Sequence, residues 1–429
     1  MSTAQLDRPA PVLSRVTQLR HTSPGRLQLI LAALLTVGVL TGLVAGLAAY
    51  SAGSGTGDLG NRSQPLLVEA ETIYSALADA DTTAAQAFLT GGLEPVALTN
   101  RYDTDLARAT AALTSAARRT PDTGVAADAV QALSSGVPQY AALVATARAD
   151  NRQGLPVGAS YLSAASALNR DTLLPKADAL FRAAQSDVDK GYGNARSVVW
   201  LTVLALLLVV LFVALIRAQR HLSRTTHRTF NLPLLAATAV AAVLTLGLGG
   251  VLIAQEAHLS SAQDDGSRPV ALLANARIQA LRERGDEALT LAARGGSGPL
   301  ETDFTTGAKP ELARQISAIG RDYDSSLAKT LTDQHNAYVA AHTAVRKLDD
   351  GGDYDAAVKL AIGPETSTTF TALTDKIGTT LENRKDAFAA DISAAGRGLG
   401  LLTVAGPLLA LIICGLAVAG IRARLEEYR

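Results

Sequence analysis

The sequence predicts an all-α membrane protein with four transmembrane helices and two tandem extracytoplasmic helical domains of the four-helix-bundle type. Four long apolar stretches contain no Asp, Glu, Lys or Arg, and each has the roughly 20 residues that cross a bilayer as a helix. The stretches come in two pairs, and each pair encloses a large polar segment rich in Ala and Leu at helical spacing. Neither polar segment shows a convincing period-two pattern, so no strands are expected.

The first prediction concerns the order and sidedness of the segments. Short loops rich in Lys and Arg stay in the cytoplasm, and the three short segments hold eleven arginines against three acidic residues. Both termini and the middle loop are therefore expected inside, with the net acidic large segments outside the plasma membrane. The predicted boundaries are a cytosolic tail 1–26, spans 27–50, 198–216, 231–254 and 398–421, ectodomains 51–197 and 255–397, a cytosolic loop 217–230 and a cytosolic C-terminus 422–429.

The first stretch has a competing interpretation as a cleaved signal peptide. Such peptides have an apolar region of about 7 to 15 residues, whereas this stretch is longer and follows a tail of 26 residues. An Ala-rich exit near 48–52 keeps cleavage possible. An uncleaved anchor is favoured, because without it the first polar segment would lose its pair of spans.

The two halves resemble each other. Residues 61–92 align without gaps on 265–296, an offset of 204, with eight identities in 32 positions. The matches include Pro65 with Pro269 near the start of a predicted helix, and paired glycines at its end. The chain is therefore interpreted as two modules, each made of span, ectodomain and span.

Both ectodomains are predicted to be helical bundles. Leu66, Ile73, Leu77 and Phe88 belong to one apolar stripe on a first helix of about 25 residues. Gly and Pro clusters separate the helices that follow. These are predicted at 95–119, 125–149 and 159–195 in the first segment, and at 310–331, 333–349 and 365–397 in the second. Four antiparallel helices are the economical assembly for such lengths.

The joints between ectodomains and spans differ in sequence. An apolar stripe from Phe370 to Leu402 predicts a helix that enters the fourth span without interruption, and a similar stripe leads into the second. The exit from the first span, SAGSGTGDLG, is rich in glycine and is predicted to be flexible. Gly38, Gly42 and Gly46 either allow close helix packing or reflect the frequency of glycine in spans.

No motif predicts catalysis, a cofactor or a metal. The spans lack the ionisable groups that transport pathways need. A glycine pattern of the dinucleotide-binding type occurs at 55–60, but it follows a predicted span rather than a strand. Dinucleotide-binding motifs lie between a strand and a helix, so this pattern does not predict a nucleotide site. His335 and His342 lie two turns apart without a third ligand at fixed spacing, so they are interpreted as surface histidines. The single cysteine, Cys414, excludes an intrachain disulfide. No nucleic-acid partner is expected.

The middle loop is the candidate site for a cytosolic partner. It carries Arg217, Arg220, Arg224 and Arg228 within 14 residues. One interpretation is the positive-inside rule combined with attraction to anionic lipid headgroups. The other is a docking surface for a soluble partner, since the short cytosolic segments leave no room for an output domain.

One stretch resembles a known family. The string NRQGLPVGASYL at 151–162, within 140–181, resembles the GlnX-type actinobacterial four-span sensors. That resemblance implies a role in passing amino-acid availability of the glutamate, aspartate or glutamine type to a cytosolic serine/threonine kinase. A solute-binding lipoprotein outside would read the amino acid. The ectodomains are also similar to chemoreceptor-type helical bundles, although the chain lacks the long cytoplasmic coiled coil of chemoreceptors.

Three functions follow as hypotheses. The leading one is a non-enzymatic transmembrane sensor that signals through a lipoprotein and a kinase. The second is an envelope scaffold, and the third is direct sensing of a small molecule. A homodimer is expected only by analogy with other helical sensors. The sequence does not identify the ligand or its binding residues.

Overall fold

The computed structural model describes residues 23–90, 93–196, 198–226, 231–293 and 298–425. Within these ranges the chain is almost entirely helical, with short turns between the helices, and contains no strand. Four five- or six-residue π-helical turns interrupt the α-helices, at Leu59–Ser63, Asn169–Leu173, Ala262–Ser267 and Phe304–Ala308. The α-helices are α1 Ser23–Asp58, α2 Gln64–Leu89, α3 Val96–Ala117, α4 Val125–Arg152, α5 Val157–Leu168, α6 Leu174–Arg196, α7 Val198–Thr226, α8 Leu232–Ser261, α9 Arg268–Ala292, α10 Pro299–Asp303, α11 Lys309–Asp322, α12 Ser325–Asp350, α13 Tyr354–Ile362, α14 Pro364–Ala395 and α15 Leu399–Leu425.

The chain divides into two compact units. The first, here called the apolar unit, comprises 1–57, 192–257 and 394–429. The second, the polar unit, comprises Asp58–Gly191 and His258–Ser393, which are called its first and second segments. The two large polar segments, assigned by the sequence to two domains, thus pack together as one body.

The apolar unit contains the candidate spans. Four helical regions among the described residues are long and apolar enough to cross a membrane, and their positions agree with the four predicted stretches. This confirms the predicted all-α membrane class with four spans. The unit also has polar contacts between its helices: Gln255 donates to Thr56 Oγ1 and to the Ala195 carbonyl, both at 3.2 Å.

The glycine motif of the first span serves packing within the chain. A Cβ on Gly38 would lie 2.6 Å from Cys414 Sγ, and one on Gly42 would lie 2.7 Å from Ala410 Cβ. The motif therefore brings α1 against α15, as small residues do where helices approach closely. Because this face is occupied by α15, a homodimer would have to use another surface.

The glycine-rich exit from the first span is helical, and the prediction of a flexible joint is wrong. Helix α1 continues to Asp58 and is followed directly by a π-helical turn and α2. A Cβ on Gly55 would lie 2.7 Å from the Ala195 backbone nitrogen, so this glycine permits a close approach of α6 to α1. At Gly55 the absence of a side chain therefore allows contact between helices rather than a flexible joint.

The predicted uninterrupted entry into the fourth span is also wrong. Helix α14 ends at Ala395, a turn follows, and α15 begins at Leu399. Gly398 in that turn has φ +81°, a conformation that glycine adopts at little cost. The apolar residues of the stripe are buried both before the break, as Ile392 is, and after it, as Leu399 is, so periodicity alone did not reveal the turn.

The second segment has two short helices that were not predicted, α10 and α13, and one predicted break lies elsewhere. A break was predicted near 332, but α11 ends at Asp322 and α12 begins at Ser325. The Asp324 side chain accepts hydrogen bonds from the backbone nitrogens of Ser326, at 2.8 Å, and Leu327, at 3.0 Å. This is an N-cap, which starts the new helix.

Helices α2 and α9 lie at the centre of the polar unit and pack against each other. Both are buried on nearly all sides; of the 26 residues of α2, 19 are buried. The predicted single stripe on α2 is therefore only part of its buried surface. Their first residues, Gln64 and Arg268, are 204 positions apart, the offset found in the sequence alignment. The internal repeat itself stays a prediction.

Candidate functional sites

The contact between the two segments of the polar unit contains buried ion pairs. Lys385 Nζ lies 2.6 Å from Glu71 Oε2, and the two side chains are only 5% and 1% exposed. Arg277 lies 3.4 Å from Asp79, and Arg170 pairs with Asp286. In each pair one residue comes from the first segment and one from the second. A buried ion that loses its partner is strongly unfavourable, so these pairs fix how the two segments meet.

A cavity of about 930 Å³ lies at the same contact. The first segment contributes Tyr74 and residues from the turn Asn169–Leu173 and α6; the second contributes residues from α9, the turn Phe304–Ala308 and α11. A smaller pocket of about 30 Å³, here called the extension, shares Tyr74, Arg170, Leu174, Ile278 and Arg282 with the cavity. The volume falls within the range of small-molecule pockets.

Ionisable groups beside the cavity have shifted pKa values. Burial raises the pKa of Asp286 to about 7, and the adjacent Arg170 offsets this only in part. Burial likewise raises the pKa of Asp81, which lines the extension, to about 6, although Ser166 and Arg170 lower it. These carboxyl groups change charge near neutral pH, as groups at functional sites commonly do.

The two histidines are buried, and their interpretation as surface residues is wrong. His335 Nε2 lies 2.9 Å from Glu283 Oε1, and His342 Nδ1 lies 2.8 Å from Glu287 Oε2. Burial lowers the pKa of His342, but hydrogen bonds to Glu287 and Glu301 outweigh it and raise the value to about 9. The described residues form no group of three or more ligands suited to a metal ion. His342 therefore serves as a cationic partner of buried Glu287, and His335 satisfies buried Glu283 by a hydrogen bond.

Three of the four candidate docking arginines, Arg217, Arg220 and Arg224, lie on a described helix of the apolar unit. Arg217 and Arg220 are exposed on α7, which extends past the predicted end of the second span to Thr226. The side chain of Arg224 and all of Arg228 lie outside the described residues. Between the two exposed arginines, Gln219 points inward and donates to Thr238 Oγ1 at 2.8 Å. The structure thus presents Arg217 and Arg220 to the surface without showing a partner.

Residues 55–193 match the family model described as an actinobacterial sensor domain. No curated protein and no solved structure matches the chain. The match supports an actinobacterial sensor protein with a sensing or signal-transducing role, and such a family favours a function other than catalysis.

The string at 151–162 lies inside the matched range and comprises the end of α4, the turn 153–156 and the first half of α5. Asn151 Nδ2 donates to the Phe88 carbonyl at 3.2 Å, which ties this turn to the end of α2. Gly154 has φ +71°, and a Cβ on Gly158 would lie 3.0 Å from the Ala147 carbonyl oxygen. The residues that carry the family resemblance therefore stabilise the turn, and none of them lines the cavity described above.

Sequence reasoning missed the cavity and the buried charges, although α2 offers one signal. The segment Gln64–Leu89 contains four carboxylates and no Lys or Arg. A solvent-exposed helical face normally mixes both signs, so unbalanced acids on a long helix indicate cations supplied from elsewhere in the fold. In α9 the run Arg282–Glu287 mixes both signs and looks solvent-exposed, yet four of its charged side chains are buried.

Proposed function

We propose that the protein is a plasma-membrane sensor whose polar unit lies outside the cell and whose termini and basic loop lie in the cytoplasm. The observation that carries this proposal is the match of residues 55–193 to an actinobacterial sensor domain, in a chain with four candidate spans. The sidedness rests on the arginines of the short segments. In this arrangement the polar unit receives a signal and the basic loop passes it on.

The proposed signal is amino-acid availability of the glutamate, aspartate or glutamine type. It would reach the polar unit through a solute-binding lipoprotein, and a cytosolic serine/threonine kinase would dock at Arg217, Arg220, Arg224 and Arg228. The resemblance of the string at 151–162 to GlnX-type sensors supports these partners. The exposure of Arg217 and Arg220 is consistent with a docking role.

Direct sensing of a small molecule is a second candidate. It is favoured by the cavity of about 930 Å³ at the contact between the two segments. A ligand that binds there would touch both segments, and it would favour whichever of their arrangements it binds more tightly.

Crosslinking in living cells tests the relay. The tagged full-length protein is captured with its membrane, and its partners are identified by mass spectrometry. We expect a solute-binding lipoprotein and a kinase, with the kinase lost and the lipoprotein kept when Arg217 and Arg220 are changed to Gln. Changing the exposed Arg118 and Arg321 of the polar unit to Gln is the matched control. Recovery of neither partner from the wild-type protein would refute the relay.

A further inference from the structure

The cavity at the contact between the segments has a balanced set of charges. Its lining contains four arginines and four carboxylates, and its wall also includes apolar side chains such as Leu174 and Ile278. The charged residues are Arg170, Arg182, Arg282, Arg314, Asp171, Asp178, Asp303 and Glu311. A site for a multiply charged anion or cation would show an excess of the opposite sign. Equal numbers of both signs suit a ligand that itself carries both charges.

Arg170 provides a hydrogen-bond donor that is not fully used. Its Nη2 atom contacts Asp286 and, at 3.2 Å, Asp303. Its Nη1 atom is buried and has no hydrogen-bond partner among the described residues. A guanidinium can bind a carboxylate through two parallel hydrogen bonds, and an unsatisfied buried donor is costly. Because Arg170 and Arg282 both line the extension, a ligand carboxylate entering it would meet two cationic side chains.

Asp171, the next residue, provides a negative charge that is also available. It is exposed, lines the wide part of the cavity, and forms no ion pair within the described part of the chain. The other three carboxylates of the lining each pair with a neighbouring arginine. Both Arg170 and Asp171 belong to the π-helical turn Asn169–Leu173, and π-helical turns occur frequently at functional sites.

Gln279 provides an acceptor on the opposite wall. It lies on α9, lines the cavity, and its Oε1 atom is buried without a hydrogen-bond partner among the described residues. A ligand with N–H groups would satisfy it. The two segments of the polar unit therefore each contribute an unused polar group to one cavity.

We propose that this cavity binds a small zwitterionic amino acid. The carboxylate binds Arg170 and Arg282 in the extension, the ammonium donates to Asp171, and a side-chain amide N–H, as in glutamine, donates to Gln279 Oε1. The inference rests on the proposed function only where it takes amino-acid binding in this cavity to be the stimulus that the sensor detects. The binding reaction itself requires neither a lipoprotein nor a kinase.

The test measures binding by the purified full-length protein in lipid nanodiscs. The probes are L-glutamine, L-glutamate and L-aspartate, followed by calorimetric titration and by thermal unfolding monitored by circular dichroism at 222 nm. At about 100 times the dissociation constant we expect the melting temperature to rise by about 5 to 10 °C. N-acetyl-L-glutamine lacks the ammonium and L-glutamine α-amide lacks the carboxylate, so both should bind at least about tenfold more weakly.

Two variants assign the binding to the cavity. Asp171→Asn and Gln279→Leu should each weaken binding of the best probe by about tenfold or more, and neither change breaks an ion pair. Asp189→Asn is the matched control for the first, because Asp189 is exposed near the end of the same helical stretch and lies outside the cavity. Gln334→Leu is the control for the second, because Gln334 Oε1 is likewise buried without a partner but does not line the cavity.

Three results would overturn the proposal: no probe stabilises the wild-type protein, the blocked analogues bind as well as the amino acids, or both cavity variants bind as tightly as their controls. A negative result in this binding test is distinct from a negative result in the crosslinking test of the relay. The purified protein can bind no amino acid while living cells still yield the lipoprotein and the kinase, and the converse can also occur.

Discussion

The ion pair between Lys385 and Glu71 should be the most sensitive contact between the two segments of the polar unit. The ammonium and the carboxylate are 2.6 Å apart and almost completely buried. Changing Lys385 to Met removes the cation but keeps most of the side-chain volume. Among the described residues, Arg277, at 3.8 Å, is then the one remaining cationic neighbour of Glu71. Removing one partner of a buried pair lowers the free energy of unfolding by about 3 to 5 kcal/mol. Because Arg277 still partly neutralises Glu71, we expect a loss of about 3 kcal/mol.

Thermal unfolding of the full-length protein in nanodiscs, monitored at 222 nm, measures this loss. For a unit of this size a loss of about 3 kcal/mol lowers the melting temperature by about 6 to 12 °C. Lys376→Met on the same helix is the matched control, because Lys376 is exposed and forms no ion pair with a described residue; we expect a change below about 0.5 kcal/mol. The double variant Glu71→Leu with Lys385→Met removes both charges and should recover most of the loss. A single variant within about 1 kcal/mol of the wild type, or a double variant no more stable than the single, would refute the reasoning.

Two further predictions concern packing in the apolar unit and the effect of pH on the polar unit. Gly42→Leu places a side chain against Ala410 and should destabilise the packing of α1 on α15 by about 1 to 3 kcal/mol, whereas Gly247→Leu, where no atom lies within 4 Å of the added Cβ, should not. Denaturation of both variants in detergent compares them, and equal stability would contradict the assignment of the glycine motif. The pKa of His342 is about 9 in the folded protein against an ordinary 6.5. Protonation of His342 therefore stabilises the fold fully below pH 6.5, and this stabilisation is lost as the pH rises to about 9. The pKa of Asp286 is about 7 in the folded protein against an ordinary 3.8. The unfolded chain therefore loses this proton first, and the stability of the fold falls as the pH rises from about 4 to 7. We therefore expect the melting temperature of the polar unit to fall between pH 5 and pH 9, and His342→Gln to remove the part of the fall above pH 6.5; a melting temperature that rises above pH 6.5 would contradict this.

The membrane spans could be predicted from the sequence because bilayer thickness sets a length that composition alone can meet. A stretch such as 198–216, without charges, has few other stable environments. The joints were harder, because glycine supports two opposite interpretations. Gly55 permits close packing against Ala195, whereas Gly398 makes a turn possible, and only the neighbouring helix distinguishes the two roles.

The site at the contact between the segments could not be predicted, because its charged residues are far apart in the sequence. Lys385 and Glu71 are separated by 314 positions, and Arg170 and Asp286 by 116. Periodicity describes which face of one helix is apolar, and it treats a carboxylate as a solvent-facing residue. Glu71 violates that assumption because a second segment of the chain covers it and supplies the cation.

The chemistry of this contact suits a sensor better than an apolar contact would. An apolar contact of similar area would hold the two segments together through burial alone, and a small polar ligand would have no group with which to compete. Here the Nη2 atom of Arg170 is shared between Asp286 and Asp303, and a ligand carboxylate at its Nη1 atom would share the positive charge of the same guanidinium with them. The free energy of binding is then offset partly by the weakening of contacts between the segments. A ligand shifts a conformational equilibrium only by its difference in affinity for the two states, and an arginine that serves both the contact and the ligand provides such a difference.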